Sequence, residues 1–172
     1  MTTLGFERGA SSTTGYRRFL KEWEHIVRET KRVKKNEDKM VRDNLVKAWQ
    51  SVKIMQINGY RSLTDGLNGT HNSALLGACN KMFWSEMHRS TMNLAVDILG
   101  MEGQILTGNG GSEGGALTGV RRGREDYPVS ELQAGFFFSR SETIWGGTAE
   151  IQRNIIGERA LGLPKEPKPQ NA

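Results

Sequence analysis

Two short stretches of this 172-residue chain bring together residue types that can do chemistry. Near the start, Thr3-Leu4-Gly5-Phe6-Glu7-Arg8-Gly9 sets a carboxylate beside a guanidinium. Near the end, Ile144-Trp145-Gly146-Gly147-Thr148-Ala149-Glu150-Ile151-Gln152-Arg153-Asn154-Ile155-Ile156 puts a Gly-Gly hinge directly before a threonine-capped helix start. Free N–H groups and the positive end of a helix dipole gather at such a start, where they can meet an anionic or carbonyl oxygen. The plain alternatives are an exposed acid near a chain end and an ordinary helix N-terminus. Residue types alone leave both open.

Other chemistries find less support. The tract Gly108-Asn109-Gly110-Gly111-Ser112-Glu113 does not complete a G-x-G-x-x-G fingerprint, follows a helical pattern rather than a strand, and is not closed by G-K-[ST]. His25, His71 and His88 make no ligand pair at helical spacing, so no metal site is expected. Cys79 is the only cysteine, which excludes an internal disulfide; its place on an apolar face predicts a buried structural thiol. The basic runs Lys31-Arg32-Val33-Lys34-Lys35 and Arg121-Arg122-Gly123-Arg124 lack interleaved aromatics, so they predict solvated helix ends and loop, with an anionic ligand as second choice and no nucleic acid as partner.

The elements that must position these residues follow from apolar spacing. Tyr16, Phe19, Leu20, Trp23, Ile26 and Val27 recur at steps of three and four and predict a helix fraying near Lys31. Val41, Leu45, Trp49, Val52 and Met55 predict a second, continuing weakly through Tyr60 and Leu63 to a turn at Asn68-Gly69-Thr70. Asn72-Ser73 can cap a third, carrying Leu75, Leu76, Cys79, Met82, Phe83, Met87 and Leu94 to a stop at Gly100. Nine glycines between Gly100 and Gly123 leave no room for a normal helix or strand. Ser130-Glu131-Leu132-Gln133 is a capping-box pattern opening a helix through Phe136, Phe137 and Phe138. Thr148 can cap a last helix bearing Ile151, Ile155, Ile156 and Ala160, ended by Leu163-Pro164. No alternating strand pattern occurs. The expected fold is all-α, an up-and-down four-helix bundle with a long Gly-rich loop before the last helices, spanning residues 1–163 and followed by an extended Pro-rich tail over 164–172.

Composition bounds the setting. Lys and Arg number 24 against 19 Asp and Glu, a net charge of +5, and 36% of residues are hydrophobic, enough for one core. The longest apolar run, Ala74 to Cys79, is far too short to cross a bilayer, and no secretion signal opens the chain, so a cytoplasmic location with no membrane partner is expected.

The run Thr148-Ala149-Glu150-Ile151-Gln152-Arg153, with Gly157-Glu158-Arg159-Ala160-Leu161-Gly162-Leu163-Pro164 after it, resembles the C-terminal signature of the acyl-CoA dehydrogenases. Ala95-Val96-Asp97-Ile98-Leu99-Gly100-Met101-Glu102-Gly103 is similar to the family's segment before its flavin-contacting loop, and the order of helices fits its C-terminal four-helix domain. The resemblance implies FAD as cofactor and α,β-dehydrogenation of an acyl-CoA thioester, in which a carboxylate removes the α-proton and the β-hydrogen leaves as hydride to the flavin. It also implies an electron-transfer flavoprotein or similar acceptor, and assembly into homo- or hetero-oligomers. Family members carry an N-terminal helical and a middle β domain ahead of this one, both absent from these residues.

In the commonest family pattern the base stands where this chain has Gly146. Some members place it instead at the start of the first long helix beside an arginine, and the matching positions here are Glu7 and Arg8. Arg8 would keep the glutamate ionised and oriented, and burial by substrate would raise its pKa. Gly146 would still offer a backbone N–H to the thioester carbonyl. The resemblance further implies substrate contact at Gly147, flavin contacts at Thr148, Ala149 and Glu150, and flavin contacts from a neighbouring subunit at Asp97, Gly100 and Met101. Asp97 replaces a usual glutamine and Met101 a glycine, and Lys31 to Asn36 stand where the family often has an arginine and Phe-Gly for the flavin pyrophosphate and adenine. These departures motivate the alternative of a non-catalytic partner subunit. A basic nucleic-acid-binding bundle is the remote third.

Overall fold

The computed structural model describes residues 14–69, 73–105 and 129–165. Among these residues every regular element is helical. The first helix, α1 (Tyr16–Arg32), buries Tyr16, Phe19, Glu22, Ile26 and Thr30, a stripe at steps of three and four. The second, α2 (Lys39–Leu67), starts where the Asp38 carboxylate accepts from the N–H groups of Met40 and Val41, and buries Leu45, Ala48, Val52, Met55 and Gly59. The third, α3 (Ser73–Leu99), stops at Gly100, whose φ of 60° takes the left-handed conformation that ends helices. A 3-10 turn, Gly100–Gln104, follows.

The capping box at the next start is present. Ser130 accepts from the N–H of Gln133, and the Gln133 side chain accepts from the N–H of Ser130, opening α4 (Glu131–Glu142). Thr148 caps α5 (Ala149–Ile155), which widens into a π-turn over Ile156–Ala160.

The third helix is the centre of the bundle; α1, α2, α4 and α5 all pack on it. One core cluster joins Ile26, Leu45, Met92, Ala95, Ile98 and Leu132, and a second joins Tyr16, Phe19, Val52, Met55 and Met87. Ile26 and Ala95 are fully removed from solvent. Burying a side chain of the size of Ile26 stabilises the fold by about 1.5–3 kcal/mol.

The all-α architecture is as expected, with local differences. Trp49 drifts off the buried stripe of α2 to the rim, where its neighbours Ala48 and Val52 take the core positions. Cys79 is free and half-buried rather than buried. The last helix keeps α geometry only to Ile155; in the π-turn the Leu161 N–H reaches back to the Ile156 carbonyl, five residues away. Glu7, Arg8, the Asn72 cap, most of the glycine-rich stretch, Arg121–Arg124 and the end of the tail lie outside the described residues.

Gln133 has a second task. Its Nε2 donates to the carbonyls of Gly103 (3.0 Å) and Ile105 (2.9 Å), tying the 3-10 turn to the start of α4. Gln133→Leu removes a cap and strands two carbonyls, a loss of about 2 kcal/mol. The expected result is a lower urea midpoint with an unchanged slope.

Candidate functional site

The hinge between α4 and α5 is built from its backbone outward. After Thr143, the N–H groups of Ile144 and Trp145 both turn back to the Ser141 carbonyl, at 3.0 and 3.1 Å. Gly146 and Gly147 then take φ of 66° and 100°, conformations that side chains rarely adopt, so a side chain at either position would strain the backbone. Their carbonyls are drawn inward. Lys81, buried on α3, donates from Nζ to the Gly147 carbonyl at 2.7 Å and the Thr143 carbonyl at 3.2 Å. Gln152, fully buried in the first turns of α5, donates to the Gly146 carbonyl at 2.6 Å and the Gly147 carbonyl at 3.3 Å.

In a trans peptide the N–H points opposite to the C=O. With the carbonyls of Gly146 and Gly147 turned inward, the N–H groups of Gly147 and Thr148 are turned outward. Thr148 Oγ1 accepts the Ile151 N–H at 3.5 Å. The Glu150 carboxyl is held below the usual carboxylate range by its own backbone N–H and by Thr148, assisted by Arg153 and Lys81. Trp145 is exposed, its ring edge-on to Phe138 at 5.0 Å.

Behind the hinge lies a buried charge cluster. Arg18 Nε meets Glu22 Oε1 at 3.1 Å, and Arg18 Nη2 donates to Glu142 Oε1 at 2.9 Å. His88, with no solvent exposure, stands between the carboxylates: Nε2 lies 3.0 Å from Glu22 Oε2, and Nδ1 is hydrogen-bonded to Glu142 Oε2. Burial alone would push His88 down, but its contacts with Glu142 and Glu22 leave it raised. Burial alone would raise the Glu142 carboxyl, but His88 and Arg18 hold it below the ordinary value. Burial opposes the Arg18 charge in the same way, and the two glutamates more than offset it. The cluster fastens the first turn of α1 to the last turn of α4, three residues before Trp145.

Asp97, Gly100 and Met101 lie elsewhere. Sixteen residues of α3 separate Lys81 from Asp97, about 24 Å at the helical rise. At that far corner Lys35 Nζ donates to the Asp97 carbonyl at 3.0 Å. Arg32 is shared between Glu29 at 2.7 Å and Glu102 at 2.5 Å. The Glu102 contact holds the Arg32 guanidinium above its ordinary value and the Glu102 carboxyl below its own. The basic run at the end of α1 is largely solvent-exposed, as expected, and two of its cations, Arg32 and Lys35, also brace the end of α3 and the turn after it. Asp97 and Met101 are exposed. An open groove of about 590 Å³ runs between α2 and α3, lined by Ala48, Ser51, Phe83, Met87 and Asp97, with Arg153 of α5.

The structure thus gathers Gly146, Gly147, Thr148, Ala149 and Glu150 at one place and sets Asp97, Gly100 and Met101 at another. Spacing alone missed Lys81, Gln152, His88, Glu22 and Glu142. A signal was present: Glu22 sits at a core step between Phe19 and Ile26, and His88 at a core step before Met92 and Ala95. Among the described residues no group of His, Cys, Asp and Glu could hold a metal ion, and no helix is long and apolar enough to cross a membrane.

Comparison with known proteins gives one family. The family model described as acyl-CoA dehydrogenase, C-terminal domain, matches residues 1–161. The chain is 33% identical over 168 residues to the acyl-CoA dehydrogenase IpdE1 of Mycolicibacterium smegmatis, covering 98% of this chain and 37% of that protein. It is 30% identical over 171 residues to the protein of the same name from Mycobacterium tuberculosis, covering 98% and 38%. The solved structure of the Tcur3481-Tcur3483 steroid ACAD shares the fold with a TM-score of 0.73 at 20% identity, over 96% of this chain and 39% of that one. The chain spans little more than a third of the length of these curated relatives.

Proposed function

Because this chain belongs to the acyl-CoA dehydrogenase family and carries its C-terminal helical domain, we propose that it serves the flavin-dependent α,β-dehydrogenation of an acyl-CoA thioester, with Glu7 as the α-proton base. The observation that carries the proposal is the hinge. Two buried donors pull its carbonyls inward and leave consecutive N–H groups facing out. An α-proton beside a thioester is weakly acidic, so removing it requires hydrogen-bond donors on the carbonyl oxygen and a base on the proton. The outward N–H groups, those of Gly147 and Thr148, are the donors assigned to that oxygen, next to the Gly146 position that the resemblance implies. Glu7 takes the proton, held ionised by Arg8.

Two features support a base placed away from the hinge. At φ of 66° a glutamate side chain at position 146 would strain the backbone by about 1–2 kcal/mol. The Arg18–Glu142 contact brings the start of α1 to the hinge end of the bundle, and Glu7 stands eleven residues before Arg18.

The residues at the hinge fit a flavin. Small residues at 146, 147 and 149 keep side chains out of the way, and the start of α5 offers N–H groups to ring oxygens. The bound flavin supplies the acceptor for the β-hydride. Thr148, Ala149 and Glu150 would hold it, while Asp97, Gly100 and Met101, about 24 Å away along α3, would serve a flavin of a neighbouring subunit. That far corner fits a pyrophosphate poorly. Arg32 already faces two carboxylates, and Asp97 adds a third. This mismatch favours a second reading, in which the chain is one partner of a hetero-oligomer and another chain supplies those contacts.

The test is dye-linked oxidation of acyl-CoA thioesters by the full-length protein, alone and with a candidate partner chain. Turnover with bound flavin in the protein alone supports the first reading. Flavin and turnover only after a partner is added support the second. Absence of both under every pairing refutes the dehydrogenase role.

A further inference from the structure

We propose that Lys81 and Gln152 are positioning residues for this dehydrogenation, locking the Gly146–Gly147 peptides so that their N–H side faces the reacting thioester; the inference rests on the function proposed above. Lys81 comes from α3 and Gln152 from α5, yet both converge on the Gly147 carbonyl. A lysine only 4% exposed is uncommon, because burying an ammonium costs solvation that its partners must replace. Among its partners are two carbonyls, at the C-terminal end of α4 and in the hinge, so the cation also meets the negative end of the α4 dipole.

Gln152 points the same way. Its Nε2 donates to two hinge carbonyls, while its Oε1 is buried without a hydrogen-bond partner among the described residues. A leucine would avoid that stranded oxygen. The amide earns its place only through the hinge.

The need for two locks follows from the sequence. A Gly-Gly pair moves between conformations more freely than any other dipeptide, and rotating either peptide would turn its N–H inward. Oxyanion stabilisation works only when donors are already aimed at the developing charge. Lys81 and Gln152 supply that aim without touching substrate.

The experiment uses the full-length protein, with its partner chain if the flavin requires one, as wild type, Lys81→Met, Lys81→Arg and Gln152→Met. Hydrogen–deuterium exchange over residues 143–152 is read beside kcat and KM for an acyl-CoA substrate. In Lys81→Met the bonded amides flanking the hinge, those of Ile144, Trp145, Ile151 and Gln152, should exchange about tenfold faster, with α3 and the body of α4 unchanged in protection. The kcat should fall about 100-fold and KM stay within about threefold, with partial recovery in Lys81→Arg. If Lys81→Met also loosens α3, Gln152→Met carries the same comparison. Hinge exchange unchanged in both variants, or faster exchange with unaltered kcat, overturns the assignment. A wild-type protein without turnover overturns the dehydrogenase reading instead; the exchange measurement needs no substrate and so separates the two failures.

Discussion

Glu7→Gln in the full-length protein should reduce acyl-CoA oxidation by about 10³-fold while leaving flavin content and KM nearly unchanged. A positioned general base contributes about 10²–10⁴-fold. Glutamine keeps the size and hydrogen-bonding reach of glutamate but cannot accept the α-proton, so the loss falls on kcat. The expectation separates a base from an exposed terminal acid, whose replacement would change nothing. Normal turnover in Glu7→Gln would remove Glu7 from the mechanism.

The largest effect on stability is expected from His88→Leu. The change leaves Glu22 and Glu142 facing each other in the interior with Arg18 as their remaining cation. Removing one partner of a buried ionic cluster costs about 3–5 kcal/mol. The same groups set a pH dependence. His88 is raised in the folded protein, so its contribution is fully present below the ordinary histidine pKa, about 6.5, and fades as pH climbs through the raised value. Glu142 is depressed, so its contribution is present above the ordinary carboxylate pKa, about 4.3, and is lost as pH falls through the depressed value. Stability should peak between the two. Urea midpoints across pH should show the alkaline decline in wild type and its absence in His88→Leu. An identical alkaline slope in the variant would refute the assignment of that limb to His88.

Much of the fold is legible because its determinants are local. The Ser130–Gln133 box and the Thr148 cap are four-residue patterns that name their own hydrogen bonds, and both are present. The stripe from Phe19 to Ile26 needs only the helical period. Trp49 misleads because a size-based stripe ignores which small neighbour, Ala48, faces α3. The hinge is legible as a Gly-Gly pair before a cap, but not its locks. Lys81 stands 66 residues from Gly147, and Arg18 stands 124 from Glu142. No periodicity within one helix announces a partner on another. Lys81 looks like a solvated cation and His88 like a lone ring until the helices are packed.

The amide of Gln133 has a bearing on what can be engineered. By gripping Gly103 and Ile105 while its Oε1 accepts the Ser130 N–H, it clasps two points 25 positions apart in the sequence. Where two points are clasped in this way, each doubling of the length of sequence between them costs only about 0.6 kcal/mol in closure entropy. A reporter or an affinity handle inserted there should leave the scaffold standing, provided the glutamine clasp is kept.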